Sequence, residues 1–351
     1  MSAEKLRPQT ERTAYFDWLR VAAALAVMMI HVCAQHWYDT DVNGAAWRSF
    51  DVIDSLASCA VPIFVMISGA LFLNREIPLS KLLSKYCLRM LAAYFFWSLI
   101  YALFEAKSPA AAVALTLRGH FHMWFLPMII GLYLCVPLFR ALAEEEGRVR
   151  YFLLLAGIFA FLVPWLFNLF KDFAPPRIGR LVGDADSFVN KMKPQFVLGY
   201  TAFFLGGWYL DRLSLSRKQR GWIYVLGLLG WACTIFLNAA SARKTGRANT
   251  KYVENFAPAM LAEAVAVFTW FKYHVSGEKG SALVGKLARY SFGAYLAHVL
   301  VLDRLDEWLG LNTLSFHPLL AVPAVWACVA VLSFGISAVL HQIPFVKKYF
   351  V

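Results

Sequence analysis

Asp17, Arg20 and His31 lie inside an otherwise apolar run, YFDWLRVAAALAVMMIHVCAQHW, residues 15–37. Ionisable side chains are costly in hydrocarbon, so each one within a span is read first as a functional group. At 100° per residue, Arg20 and His31 fall about 20° out of line and about 16 Å apart along the axis. They share one face at different depths, and Asp17, Ala24, Val27 and Gln35 complete the stripe by their spacing. A buried imidazole can take a proton from a hydroxyl as that hydroxyl attacks an activated acyl group. The guanidinium would then hold an anionic donor. Two other readings use the same residues: Asp17 and Arg20 pair at the helix mouth while His31 bonds a neighbouring helix, or His31 is the protonation switch of a transporter.

Four further stretches carry polar side chains in apolar surroundings. RGHFHMWFLPMIIGLYL, residues 118–134, places His120 and His122 just ahead of Trp124, and SFGAYLAHVLVLD, residues 291–303, contains His298. FVMISGALFL, residues 64–73, supplies Ser68 and Gly69, which suit close helix approach. SKLLSKYCLRMLAAY, residues 80–94, carries Lys81, Lys85 and Arg89 at steps of four, a basic ridge suited to lipid or to a bound polyphosphate. A metal is not expected: on a helix, residues two apart diverge, which separates His120 from His122, and the six cysteines fall singly. No Gly-rich phosphate loop, GxSxG motif or paired acid and base carboxylates stand out.

The elements that must position these groups follow from composition. Of 351 residues, 60% are hydrophobic and 16% charged, and runs of about twenty apolar residues recur from end to end. This is the pattern of an all-α, polytopic integral membrane helix bundle. About ten transmembrane helices are predicted, near 15–37, 47–73, 83–104, 119–140, 150–170, 195–211, 221–240, 254–273, 284–304 and 317–341. The first run is read as a retained helix rather than a cleaved signal, since further spans follow it. One membrane domain is expected over residues 1–351, with an N-tail at 1–14 and a C-tail at 342–351. The tails and alternate loops hold 20 of the Lys and Arg residues against 13 on the other side, which predicts both termini cytoplasmic. Nine of those 13 lie in two loops, from Lys171 to Lys193 and from Arg243 to Lys251, where solvent, lipid phosphate or an anionic partner on the outer face would meet them. The net charge of +12 is spread over short loops, so the expected partners are membrane lipids and not nucleic acid.

Five blocks resemble the acyltransferase-3 family of membrane O-acyltransferases. FDWLRVAAALAVMMIH is similar to its first-helix signature, in which Arg precedes His by eleven positions after an acidic residue. FVMISGALFL resembles its FFxxSGF pattern, KYCLRML its basic helix, HMWFLPMIIGLYL its HxWFL segment and SFGAYLAHVLVL its SYGIYLIH segment. Ala70 stands where the family usually has Phe, and Ala297 and Val299 replace bulkier neighbours of the late His. The resemblance implies a multi-pass protein of the bacterial cytoplasmic (inner) membrane. It would move an acyl group, most often acetyl, from cytoplasmic acyl-CoA to a hydroxyl of a cell-surface or lipid-linked glycan. His31 would be the base or would relay the acyl group, with Arg20 and Asp17 beside it in the catalytic set; Arg20 would also hold the donor, and Lys85 and Arg89 would assist with its phosphates. His122, Trp124, His298 and Ser68 would shape the acceptor side, with acetyl-CoA as donor substrate and no metal. The helix bundle itself would present the acyl group. A transporter, or a membrane protein that binds acyl-CoA without turnover, would consume no thioester.

Overall fold

The computed structural model describes residues 14–275 and 281–351; the predicted N-tail up to residue 13 and part of the loop after the eighth predicted span lie outside the described residues. Among the described residues every regular element is helical. Six helices among the described residues are long and apolar enough to cross a membrane: Ala14–Ala34, Ala45–Leu73, Leu79–Glu105, Glu146–Phe173, Arg217–Thr245 and Pro318–Leu340. A seventh crossing is available if Pro109–Leu134 and Val136–Ala143, bent by 54° at their junction, count as one span. The remaining predicted spans are also helical, over Pro194–Arg212, Pro258–His274 and Ser281–Leu309, but are not in that set.

Proline explains two of the breaks. Pro62 has no N–H for the carbonyl of Ser58, and the second crossing divides at Ser58–Cys59 into Ala45–Ala57 and Ala60–Leu73. Pro137 likewise stops the Phe125–Leu134 helix, where the sequence suggested one continuous span. In Leu79–Glu105, a π-helical stretch over Leu82–Cys87 carries Lys85. Such bulges re-aim side chains and recur at functional sites.

Small residues bring the helices together. A Cβ on Gly69 would meet the carbonyl oxygen of Phe204 at 1.7 Å, and one on Gly207 would meet that of Met66 at 2.1 Å. The Ala60–Leu73 and Pro194–Arg212 helices therefore cross backbone to backbone through reciprocal glycines, as the Ser68–Gly69 pair suggested. Gly227 against Ala266 and Gly230 against Ala259 repeat the arrangement between Arg217–Thr245 and Pro258–His274. Gly69→Ala should force the first pair apart and cost about 1–3 kcal/mol. Thermal unfolding of the protein in detergent, compared with wild type, checks this; an unchanged midpoint would mean that the crossing yields freely.

The two basic loops prove to be tied to each other rather than simply solvated. Residues 176–191 form a helix, Lys171 pairs with Asp186, and Asp172 receives Lys251 at 2.6 Å, Tyr252 at 3.0 Å and Ser241 at 3.0 Å. Lys244 donates to the Asp172 carbonyl. At the start of the bundle, the Tyr15 hydroxyl and the Asn74 amide both donate to Asp211, at 2.5 and 3.0 Å. That clamp fixes the beginning of the first helix against two others.

Candidate active site

A cavity of about 970 Å³ runs along the first helix, which lines it with Arg20, Val27, Ile30, His31 and Ala34, and Trp37 lines it from the turn that follows. Of the residues singled out in the sequence, Arg20, His31, Ser68, Lys85, Arg89, His122 and Trp124 line it together. Asp17 is buried beside the cavity, its Oδ1 3.9 Å from Arg20 Nη1, and His298 is fully buried behind His31. The stripe does not continue to Gln35, whose amide donates to Asp306 at 3.4 Å. Lys81 is exposed and lies off the cavity, because the π-helical stretch alters the step between it and Lys85.

Charge divides the cavity lengthwise. Arg75, Arg289 and Lys347 join Arg20, Lys85 and Arg89 in its wall, and His341 lies among them. Burial holds the His341 imidazole below its ordinary pKa, and Lys347, Arg89 and Arg289 push the same way, against its hydrogen bond to the Ser337 carbonyl. Arg89 also donates to the backbone carbonyl of Val351, which fixes its guanidinium. The lining carboxylates, Asp54 and Glu254, belong elsewhere in the cavity. Asp54 bonds Ser58, and Ser58 and Arg75 flank opposite ends of the Ala60–Leu73 helix, about 21 Å apart by its length. Trp37, Trp124, Tyr200 and Asn255 also line the cavity, with the Trp124 and Tyr200 rings 5.7 Å apart and the Asn255 amide, next in sequence to Glu254, donating to the Tyr200 hydroxyl at 2.9 Å. Burial raises the Glu254 carboxyl above its ordinary range despite the opposing pull of Lys251.

His31 lies between these two ends. Its Nδ1 is 2.9 Å from His298 Nε2, and His298 Nδ1 bonds the backbone carbonyl of Tyr295. A carbonyl can only accept, so in the neutral ring His298 Nδ1 carries the hydrogen and Nε2 is bare. His298 Nε2 must then accept from His31 Nδ1–H, which leaves the lone pair of His31 on Nε2. This is the logic of a general base oriented by a third group, with an imidazole and a carbonyl in place of a carboxylate. His298 therefore belongs with His31 and not in the lining of the acceptor side.

The spacing argument for His120 and His122 is corrected by the backbone. They do not diverge on a helix: Gly119, at φ +76°, turns the chain, His120 is extended, and only Phe121–Trp124 is helical. The two Nδ1 atoms approach to 2.7 Å. A Cβ on Gly119 would also strike the Tyr94 hydroxyl at 2.4 Å, so glycine is required there twice over. Among the described residues no group of three or more His, Cys, Asp or Glu side chains is placed to hold a metal ion. Sequence reasoning passed over Asp51 and Asp54, although the rule that flags Asp17 applies equally to two carboxylates in the second predicted span. It also missed Arg75, in the turn after Ala60–Leu73, Lys347, in the short Pro344–Tyr349 helix, and Arg289, which lies inside Ser281–Leu309 and within the ninth predicted span, where the same rule applies.

No curated protein and no solved structure matches the chain. The acyltransferase-3 family profile, described as an acyltransferase domain, matches residues 13–342, which contain every cavity residue discussed above except Lys347. The chain therefore belongs to the acyltransferase-3 family of acyltransferases.

Proposed function

We propose that the protein is a membrane O-acyltransferase, most simply an O-acetyltransferase, that takes its acyl group from acyl-CoA and delivers it to a hydroxyl of a cell-surface or lipid-linked glycan. The observation that carries this reading is the polarity of one continuous cavity, with cations at one end, an oriented imidazole between, and carboxylates, an amide and aromatic rings at the other. CoA is a long, thin molecule whose phosphates and thioester are well separated, and the distance of about 16 Å between Arg20 and His31 suits it. Arg20, Lys85 and Arg89, helped by Arg75, Arg289 and Lys347, hold the phosphates. Carboxylates, amides and flat aromatic faces are the groups that receive sugar hydroxyls and sugar rings, so Asp54, Asn255, Trp124 and Tyr200 suit the acceptor.

In the reaction, the acceptor hydroxyl donates its proton to His31 Nε2 as its oxygen attacks the thioester carbonyl carbon. The carbon–sulfur bond breaks, the thiolate of CoA leaves, and the imidazolium returns the proton to that sulfur. The new ester and free CoA account for all atoms, and no metal enters. His298 stabilises the transient charge by accepting from His31 Nδ1–H, and the Tyr295 carbonyl holds His298 in turn. Ser68, on the cavity wall, and Asp17, beside Arg20, position their neighbours.

The cationic end faces the cytoplasm in this reading, with both termini on that side in a bacterial cytoplasmic membrane; the excess of Lys and Arg in those loops supports it. The test is to supply labelled acetyl-CoA to membranes containing the protein and to follow CoA release, with mass spectrometry of surface and lipid-linked glycans. The expected result is CoA release together with a glycan heavier by one acetyl group. Movement of an ion or glycan without thioester consumption would overturn the reading in favour of a transporter.

A further inference from the structure

A second line of hydrogen bonds ends beside His31 but begins outside its cavity. Glu105 closes the Leu79–Glu105 helix, and its Oε1 lies 3.1 Å from His120 Nε2. His120 Nδ1 lies 2.7 Å from His122 Nδ1. A carboxylate only accepts, so for neutral rings the order is forced: His120 donates from Nε2–H to Glu105, its bare Nδ1 accepts from His122 Nδ1–H, and His122 Nε2 is left with a lone pair. That nitrogen is buried and makes no hydrogen bond of ordinary length and angle among the described residues, although the Leu296 backbone lies against the ring. Its ring stands 6.0 Å from His31 and 5.2 Å from His298, centroid to centroid.

The surroundings hold this arrangement rigidly. Tyr295 donates from its hydroxyl to the His122 backbone carbonyl at 2.7 Å, and Tyr101 stacks on His120 at 4.2 Å while donating to the Leu296 carbonyl at 2.9 Å. At the far end the Glu105 side chain is 36% exposed and, with His120, Arg118 and Trp124, lines a second cavity of about 500 Å³. Trp124 lines both cavities. An accepting nitrogen, desolvated and unpaired beside the base, calls for a donor that the protein itself does not supply. A sugar carries such donors next to the hydroxyl that reacts.

We propose that His122 Nε2 accepts a hydrogen bond from a second hydroxyl of the glycan acceptor, adjacent to the one His31 deprotonates, and that Glu105 and His120 are positioning residues that keep this nitrogen bare. The proposal rests on the acyl-transfer reading and adds to it a preference for acceptors with neighbouring hydroxyls. Nothing in the relay touches the donor, so its loss falls on transfer to the glycan and not on the use of acyl-CoA.

The test uses the full chain in membranes supplied with labelled acetyl-CoA, and reads acetyl transferred to endogenous glycans, total CoA released and the KM for acetyl-CoA. Glu105→Leu is expected to lower transfer about tenfold, a typical cost of one lost buried hydrogen bond. The acetyl-CoA KM should stay within twofold of wild type, and Glu105→Asp should restore most of the transfer. His120→Asn, which cannot relay the bond from His122 to Glu105, provides the second variant should Glu105→Leu fail to accumulate. Transfer by both Glu105→Leu and His120→Asn at the wild-type rate, or a loss that Glu105→Asp fails to rescue, or one matched by an equal rise in the acetyl-CoA KM, overturns the proposal while acyl transfer stands. A wild type that releases no CoA overturns both.

Discussion

His31→Ala should abolish acyl transfer while leaving the protein inserted and folded. Removal of a general base typically costs about 100- to 10,000-fold in rate, and His31 lines the main cavity with its Nδ1 already committed to His298, which leaves its Nε2 to take the proton. The structure adds a condition. Because His298 acts only through His31, His298→Phe should lower kcat without changing the KM for acyl-CoA, and the double variant should be no slower than His31→Ala alone. The rates come from labelled acetyl transfer in membranes matched for protein amount. Additive losses in the double variant would mean that His298 works independently, and full activity in His31→Ala would remove the base from the mechanism.

The coupling to His298 illustrates what the sequence could and could not convey. Arg20 and His31 lie on one helix, and a single periodicity is enough to put them on one face; the cavity wall contains both, as that periodicity requires. Gly69 was legible for a similar reason, since a small residue beside a polar one in an apolar run has few uses other than close approach. His298 is 267 positions from His31 and meets it through tertiary packing, which no local pattern encodes. The same holds for Glu105 and His120, where the decisive feature is a backbone turn at Gly119 that takes His120 off the helix. Hydropathy marks where apolar residues run and not where a helix breaks: Pro62 divides one run within a single crossing, and Pro137 falls where another bends by 54°. The basic loops looked solvated because charge alone cannot reveal that Asp172 gathers Lys251, Lys244 and Tyr252 around one point.

The second large effect is expected at the other end of the cavity. Arg20→Ala should raise the KM for acyl-CoA about 10- to 100-fold, the range for a hydrogen bond to a charged group converted at 1.4 kcal/mol per tenfold. Arg20→Lys should do less harm, since an ammonium keeps the charge while losing the planar fork that grips phosphate in two places. The effect should be smaller than the loss of six separate contacts would suggest, because Lys85, Arg89, Arg75, Arg289 and Lys347 share the same phosphates and remain. That sharing makes the result strongly dependent on salt: raising ionic strength should weaken acyl-CoA binding in wild type more than in Arg20→Ala, as one fewer cation is left to screen. Saturation curves for labelled acetyl-CoA at two salt concentrations decide the matter. Equal KM values in wild type, Arg20→Lys and Arg20→Ala would take Arg20 out of donor binding and leave its pairing with Asp17 as a purely structural contact at the start of the first helix.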